Sequence, residues 1–262
     1  MLKRRLIPVL FLRDGLMVRS EDFSTYSVFG HPVSLVGRLN DWDVDEVIIL
    51  DISDEPNSFG INRDDHKLKG AKNLFEFAEN VAATCSMPLT MGGHIQTLDD
   101  IRSRIMHGAD KVSLDSALYE TPELAARAAR IFGAQAIVGC IDYRETEDGP
   151  IVFRNRAKDS TGETAIAMAR RAEDLGCGEI LLHGVSRDGK ARGYDTETIQ
   201  AVVEAVEIPV IACGGAGHNS HFDKCLEETD VSAVAAGNIF QFTESAYPRA
   251  KQYLRTRRPD LR

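Results

Sequence analysis

Eight short aliphatic runs, separated by amphipathic stretches, constrain the fold of this chain more than any other feature of its sequence. Strands that alternate with helices are typical of parallel βαβ units, and eight such units predict closure into one (β/α)8 TIM barrel spanning residues 1–262. An open, doubly wound sheet is the alternative, but no GxGxxG motif follows the first run. The predicted strands are Leu6–Leu12, Val47–Asp51, Pro88–Met91, Val112–Leu114, Ala136–Asp142, Ile180–His183, Val210–Cys213 and Val231–Ala235. The predicted helices include Leu68–Ala83, Leu98–His107, Pro122–Phe132, Glu163–Leu175, Thr196–Val206 and Ser220–Glu228.

The second half of the chain echoes the first. The segment Met87–His94 resembles Ile208–Gly215, and Glu46–Leu50 resembles Glu179–His183. A repeat of about half the chain length indicates a barrel built from two similar halves. Each half is then expected to carry its own ligand site.

Composition narrows the possible partners. The formal net charge of -9 argues against nucleic acid or an anionic membrane as a general partner. No stretch approaches the roughly 18 apolar residues of a membrane span, and the first apolar run leads into Arg13-Asp14-Gly15 rather than a cleavage site. We therefore expect a cytoplasmic protein. The five cysteines lack CxxC spacing, so in a reducing compartment we expect no disulfide and no zinc site. We also expect no other metal and no cofactor.

Two glycine-rich segments follow the last two predicted strands. They are Cys213–Gly217 after the seventh strand and Ala235–Asn238 after the eighth. Glycines let the chain approach an anion closely, and successive backbone amides can hold phosphate oxygens. This end of a TIM barrel is its habitual phosphate site. The pattern predicts phosphate binding, with simple tight turns as the alternative.

The corresponding positions of the first half differ. His94 stands where the repeat has Gly215, and Asp115 stands where it has Ala236. A carboxylate disfavours a second phosphate at this place. The two side chains could instead contact a sugar or an amide, or could be solvated loop residues.

Three carboxylates are predicted at strand ends on the catalytic face: Asp51, Asp142 and Asp188. Asp142 closes an apolar run, an environment that suits a carboxyl group to general acid/base work. Capping of the following loop is the alternative for each of them.

Several motifs of the chain together resemble the cyclase subunit of imidazole glycerol phosphate synthase, from Leu2 to about Leu254. These motifs are Gly92-Gly93, Gly108–Ser113, Gly178–Leu182, Arg187–Gly189, Gly193–Asp195 and Cys213–Gly217. The resemblance implies a barrel that receives ammonia from a glutaminase docked on its N-terminal face. It further implies cleavage and cyclisation of a ribonucleotide with a phosphate at each end.

The resemblance also implies two acid/base carboxylates, at the ends of the first and fifth strands. Asp142 is present at the second of these positions, but Phe11 stands at the first, and a phenyl ring cannot transfer a proton. Arg19 replaces the lysine of the following loop, and His94 and Asp115 fall on the first phosphate site of the family. The second phosphate site is retained, with Asp188, Gly189, Gly214, Gly215, Ala236 and Gly237.

The opposite end of the barrel keeps the pattern of the family. The resemblance implies that four charged residues at this end gate the entry of ammonia, and the matching positions are Arg5, Glu46, Lys111 and Glu179. Charged residues at strand starts can also serve stability alone. Retention of all four nonetheless predicts that ammonia delivery is kept while the original cyclisation is compromised.

Three functions follow from this pattern. The leading hypothesis is a cyclase-like barrel paired with a glutaminase, resembling divergent copies associated with amidation of bacterial surface sugars. It would hold a phosphorylated or nucleotide-sugar ligand, or pass ammonia to a third protein, an amidotransferase. The alternatives are an authentic cyclase of histidine biosynthesis, with Asp51 or His183 replacing the missing acid, and a non-catalytic barrel that activates the glutaminase.

The long polar loop at residues 53–66 is expected to serve a ligand or a partner, or to be mobile.

Overall fold

Eight parallel strands close into a barrel in a computed structural model that describes residues 3–56, 58–59 and 71–262. The strands are β1 (Arg5–Arg13), β2 (Leu16–Glu21), β3 (Thr25–Gly30), β4 (Val47–Asp51), β5 (Leu89–Gly92), β6 (Lys111–Leu114), β7 (Ile137–Thr146), β8 (Gly149–Arg154), β9 (Asp159–Thr164), β10 (Glu179–Gly184), β11 (Val210–Cys213) and β12 (Ala233–Ala236). The barrel order is β1-β4-β5-β6-β7-β10-β11-β12, and parallel pairing of β12 with β1 closes the ring. The predicted TIM barrel is confirmed.

Helices follow the barrel strands and pack on their outer side. They are α1 (Pro32–Asp41), α2 (Leu74–Ala82), α3 (Leu98–Met106), α4 (Ala117–Glu120), α5 (Pro122–Phe132), α6 (Ala165–Asp174), α7 (Thr196–Ala205), α8 (Asn219–Glu228) and α9 (Ala246–Arg255). The local sequence explains where α3 begins, because Thr97 and Asp100 form a reciprocal capping box at its N-terminus. The predicted helix Leu68–Ala83 is shorter than expected among the described residues, where α2 begins after the capping residue Asn73, and residues 68–70 lie outside them.

Two hairpins extend barrel strands beyond the carboxyl-terminal rim, and the strand prediction missed both. Hairpin β2–β3 pairs with the end of β1, and hairpin β8–β9 pairs with the end of β7. The predicted fifth strand was therefore wrong in ending at Asp142, because β7 continues to Thr146. Asp-Gly dipeptides mark both sites, and Asp14 and Gly15 adopt φ of 51° and 83°, as a two-residue hairpin turn requires.

The half-barrel repeat is visible in the backbone. Gly93 has φ +97° and Gly214 has φ +98°, at equivalent positions after β5 and β11. A Cβ at Gly93 would lie 2.1 Å from the carbonyl oxygen of Asp51, and one at Gly214 would lie 2.5 Å from that of Gly184. The same close approach to the preceding barrel strand explains why both halves keep a glycine here.

A buried ion pair fastens the last helix to the N-terminal end of the barrel. Lys251 of α9 donates to Asp45 at 2.6 Å, with side-chain exposures of 8% and 2%. Asp45 also accepts from the backbone N–H of Leu6 at 3.0 Å, and the Tyr247 hydroxyl donates to the Leu6 carbonyl at 2.9 Å. No helix of the described residues has the length and hydropathy to span a membrane.

We predict that Lys251→Met lowers the free energy of unfolding by about 3–5 kcal/mol, since it leaves the Asp45 carboxylate buried without its cation. Urea denaturation of the purified chain measures this change. Lys224→Met is the matched control, because the Lys224–Glu228 pair on α8 is well exposed at 66% and 42%. Equal midpoints for both variants would show that the pair does not stabilise the barrel base.

Candidate functional site at the carboxyl-terminal mouth

His183 lies between two carboxylates at the centre of the barrel mouth. The parallel register of β10 and β7 pairs His183 with Asp142, and Nδ1 of the imidazole donates to Oδ1 of Asp142 at 3.1 Å. On the other side, Nε2 lies 3.9 Å from Oδ1 of Asp188. Asp188 does not end a strand as predicted, because a 3-10 turn over Val185–Arg187 separates it from β10.

The charge state of His183 follows from this arrangement. Burial opposes protonation of the imidazole, but Cys213 and the carboxylates of Asp142 and Asp188 outweigh it and hold the pKa of His183 well above its ordinary value. Burial raises the pKa of the Cys213 thiol to about 11, so this group is neutral near pH 7. The carboxylates of Asp142 and Asp188 are therefore the charged groups that favour the cationic form of His183.

Phe11 fills the position where the resemblance implies a catalytic acid. Its side chain is 3% exposed and packs edge-on against Phe23, with ring centroids 5.1 Å apart. Phe23 in turn lies 5.2 Å from the His183 ring, and Phe11 lies 6.1 Å from it. We call Phe11, Phe23 and His183 the aromatic cluster. A phenyl ring therefore occupies the place where the resemblance implies a carboxyl group.

The aromatic cluster depends on hairpin β2–β3, which supplies Phe23. Asp22 accepts from Arg144 at 2.6 Å and pairs with Lys190 at 3.2 Å, while its backbone N–H donates to the carbonyl of Asp188. The carbonyl of Ser20 accepts from the Asn238 side chain at 2.7 Å. These bonds fix the hairpin over the second half of the barrel mouth.

The residues predicted to bind phosphate in the second half do meet in one place. Asp188, Gly189, Gly214, Gly215, Ala236 and Gly237 line a common cavity with Phe11. Its volume is about 10 Å³, room for about one water. A Cβ at Gly189 would lie 2.6 Å from the Ser20 carbonyl, so hairpin β2–β3 sits directly on this site. A phosphate there requires the hairpin to move, and its binding remains a prediction.

The larger cavity lies over the first half of the barrel, and we call it the first-half cavity. Its volume is about 550 Å³, within the range of small-molecule sites. Its inner wall includes Asp51, His94, Ser113, Asp115 and Asp142. Its outer wall includes Arg154 and Arg156 from hairpin β8–β9. The predicted altered positions His94 and Asp115 thus share one cavity with the predicted catalytic Asp142.

Four buried polar atoms of the inner wall have no hydrogen-bond partner among the residues that the structure describes. They are Oδ2 of Asp51, Nε2 of His94, Oγ of Ser113 and Oδ1 of Asp115. Burial raises the pKa of the Asp115 carboxyl well above its ordinary value, and the charge of Asp142 adds to this effect. Buried polar groups are normally paired, so a cluster of unpaired ones marks a place where a ligand can bind.

Two predicted features are placed elsewhere or lie outside the described residues. Arg19 belongs to β2, where its guanidinium lies 5.2 Å from the centre of the Phe242 ring, and it lines neither cavity described above. The predicted loop at residues 53–66 is described only at residues 53–56, 58 and 59. Within it, Asp54 pairs with Arg13 at 2.9 Å and with Arg156.

At the opposite end of the barrel, the four predicted gate residues form a closed ring of alternating charge. Arg5 donates to Glu46 at 2.6 Å and also bonds Glu179. Lys111 donates to Glu46 at 3.0 Å and to Glu179 at 2.7 Å. Each charge therefore has two partners of opposite sign. We call this set the ion ring.

The sequence matches a family described as histidine biosynthesis protein, over residues 5–246. The chain belongs to this family. The imidazole glycerol phosphate synthase subunit HisF of Lysinibacillus sphaericus is 38% identical over 260 residues, which are 98% of each chain. The subunits of the same name from Metallosphaera sedula and Bacillus cereus are 37% and 35% identical, over 97% and 100% of each chain. The chain is thus HisF-like over its whole length.

Within this histidine biosynthesis family member, sequence reasoning missed the residues that close the mouth. Phe23, Arg144 and Lys190 come from separate segments, and no local pattern connects them. The hairpins that carry Phe23 and Arg154 could have been found from the Asp14-Gly15 and Asp148-Gly149 dipeptides.

We predict that His183 is an imidazolium at pH 7.5, about one unit above the ordinary histidine pKa of 6.5. Imidazole resonances in a two-dimensional NMR titration measure this, with His183→Gln for assignment. His221 is an internal comparison, because burial and the charge of His218 lower its pKa, so it is neutral at that pH. A His183 that titrates with His221 would contradict the two-carboxylate arrangement.

The same shift has a consequence for stability. A raised folded pKa stabilises the native state fully below the unfolded value near 6.5, and this contribution is lost as pH rises through the folded value. We therefore expect wild type to lose stability relative to His183→Gln between neutral and alkaline pH. Urea midpoints of both chains across that range measure the difference, and parallel curves would contradict it.

Proposed function

We propose that this chain is the barrel subunit of a glutamine-dependent complex that transfers ammonia to a phosphorylated sugar or nucleotide sugar, in surface polysaccharide biosynthesis, rather than forming imidazole glycerol phosphate. The observation that carries the proposal is Phe11. It replaces a proton-transferring side chain with a phenyl ring that packs on Phe23 and His183.

The ion ring supports the part of the proposal that concerns ammonia. Its four side chains are partly or fully buried, with exposures from 4% to 21%, and every charge is doubly paired. A ring that only stabilised the barrel would not need to match all four gate positions that the resemblance implies. We infer that a HisH-like glutaminase docks on this face and that ammonia passes the ring into the barrel.

The mouth supports the part of the proposal that concerns a changed acceptor. Loss of one member of an acid/base pair typically lowers a rate by about 10²–10⁴-fold. The first-half cavity also carries Asp115 and His94 where a phosphate of the cyclase substrate would bind. Both changes disfavour a ribonucleotide with a phosphate at each end.

We predict no detectable cyclisation of the histidine-pathway ribonucleotide by the purified chain supplied with excess ammonium salt at mildly alkaline pH. Excess ammonia removes the need for a partner, so the assay tests the barrel alone. A HisF subunit of Bacillus cereus under the same conditions is the positive control. Turnover at an ordinary rate, abolished by Asp142→Asn, would contradict the proposal.

That contrary result would establish the second candidate function, an authentic cyclase of histidine biosynthesis. The names of the similar HisF subunits favour it, as does the presence of Asp142. His183 is the group placed to compensate for Phe11, because it already shares a hydrogen bond with Asp142. Asp51, with one unpaired oxygen in the first-half cavity, is the other.

We predict that the chain stimulates glutamine hydrolysis by a HisH-like glutaminase and that Lys111→Met lowers this stimulation about tenfold or more, because two buried carboxylates each lose a cation at the docking face. Lys224→Met, remote on α8, is the control. Ammonia release and binding affinity are measured together. An unaffected Lys111→Met variant would refute the gate role, and absence of any stimulation would refute the glutaminase partner.

A further inference from the structure

We propose that the first-half cavity binds a sugar ring, whose hydroxyl or amino groups donate hydrogen bonds to its inner wall and whose anionic group lies at Arg154 and Arg156. This inference rests on the proposed function and names the part of the acceptor that this chain itself holds.

The inner wall is built to accept hydrogen bonds. Asp51 is 6% exposed and Ser113 is 3% exposed, both residues line the cavity, and each carries an oxygen that has no hydrogen-bond partner among the described residues. The other oxygen of Asp51 is engaged, since it accepts from the backbone and hydroxyl of Ser53 at 3.0 and 2.6 Å. Ser53 therefore holds the Asp51 carboxyl group in place, and Oδ2 of Asp51 remains able to accept a hydrogen bond from a ligand. A sugar ring supplies several donors on neighbouring carbons.

The acidic side chains of the inner wall disfavour a phosphate there. Asp51, Asp115 and Asp142 bring three carboxyl groups to one surface. Hydroxyl and amino groups are the complementary chemistry, because they donate to carboxylates. His94 adds a ring nitrogen that is also unpaired.

The anionic end of the ligand has a separate place. Arg154 lines the outer wall and forms no ion pair with the residues that the structure describes. Arg156, in the turn that follows, is held by Asp54. An arginine fork suits bidentate contact with a phosphate or carboxylate. The two walls therefore orient the ligand: its hydrogen-bond donors face the inner wall, and its anionic group faces the outer wall.

The aromatic cluster limits how far the ligand extends. Phe23 lines the first-half cavity and Phe11 lines the small second-half cavity, and their rings are in contact. A ligand in the first-half cavity thus ends at Phe23, where the apolar face of a sugar ring can pack. A volume of about 550 Å³ accommodates a sugar with one phosphate.

The test is a chemical-shift titration of the isotope-labelled full chain with glucosamine 6-phosphate, glucose 6-phosphate and inorganic phosphate at millimolar concentration. We expect both sugar phosphates to shift resonances around Ser113 and Asp115, and inorganic phosphate to bind at least tenfold more weakly. Tighter binding of glucosamine 6-phosphate would identify an amino donor, and equal binding would identify hydroxyls. Binding of inorganic phosphate as tightly as the sugars, or no binding of either sugar, would overturn the proposal.

Three variants locate the binding. Asp115→Leu is expected to weaken sugar-phosphate binding about tenfold or more, and Ser113→Ala about fivefold, because each change removes a hydrogen bond to the ligand at a buried site. Arg154→Gln should weaken the binding of the sugar phosphates. It should leave the binding of N-acetylglucosamine, a neutral sugar, unchanged. Asp99→Leu, exposed on α3, is the control. Unchanged affinity in both inner-wall variants, with urea midpoints that show them folded, would refute the site.

This test stands apart from that of the proposed function, because it uses the chain without a glutaminase. Stimulated glutamine hydrolysis without sugar-phosphate binding would refute the sugar site alone. Sugar-phosphate binding without any glutaminase response would refute the ammonia-transfer function and leave the site in place.

Discussion

Main-chain pairing of β7 with β10 and of β12 with β1 is the constraint on which the rest of the molecule depends. It closes the sheet, so every barrel strand has two neighbours and all carboxyl-terminal ends meet at one mouth. The same register sets His183 beside Asp142 and, at the other end, lets Arg5 reach Glu46 and Glu179. Both candidate sites are consequences of this closure.

The two ends of the barrel differ in how they treat charge. At the N-terminal end, four charges of alternating sign neutralise each other in the ion ring. At the mouth, His183 shares two carboxylates, while Asp51 and Asp115 keep unpaired oxygens. The ion ring is satisfied by its own members, whereas buried oxygens without a partner favour a ligand that donates to them.

The two halves of the barrel have similar backbone conformations after β5 and β11 but differ in the cavities at their carboxyl-terminal ends. Gly93 and Gly214 make the same close approach to the preceding strand. Hairpin β2–β3 covers the second half and leaves about 10 Å³, while the first half keeps about 550 Å³. The equivalent ends of the two halves thus differ, one covered and one open, because hairpin β2–β3 lies over the second half.

The family resemblance implied the four positions of the ion ring. The patterns of the sequence predicted the number and order of the barrel strands, the repeat of the halves and the glycine turns. These follow from local periodicity and from strand ends that any parallel barrel brings together. Only the tertiary structure decided that Phe23 packs on Phe11, that His183 lies between Asp142 and Asp188, and that the first half holds the large cavity. Each of these depends on side chains from distant segments meeting in space, and the position of hairpin β2–β3 is set by Arg144, Lys190 and Asn238, which no local pattern links to it.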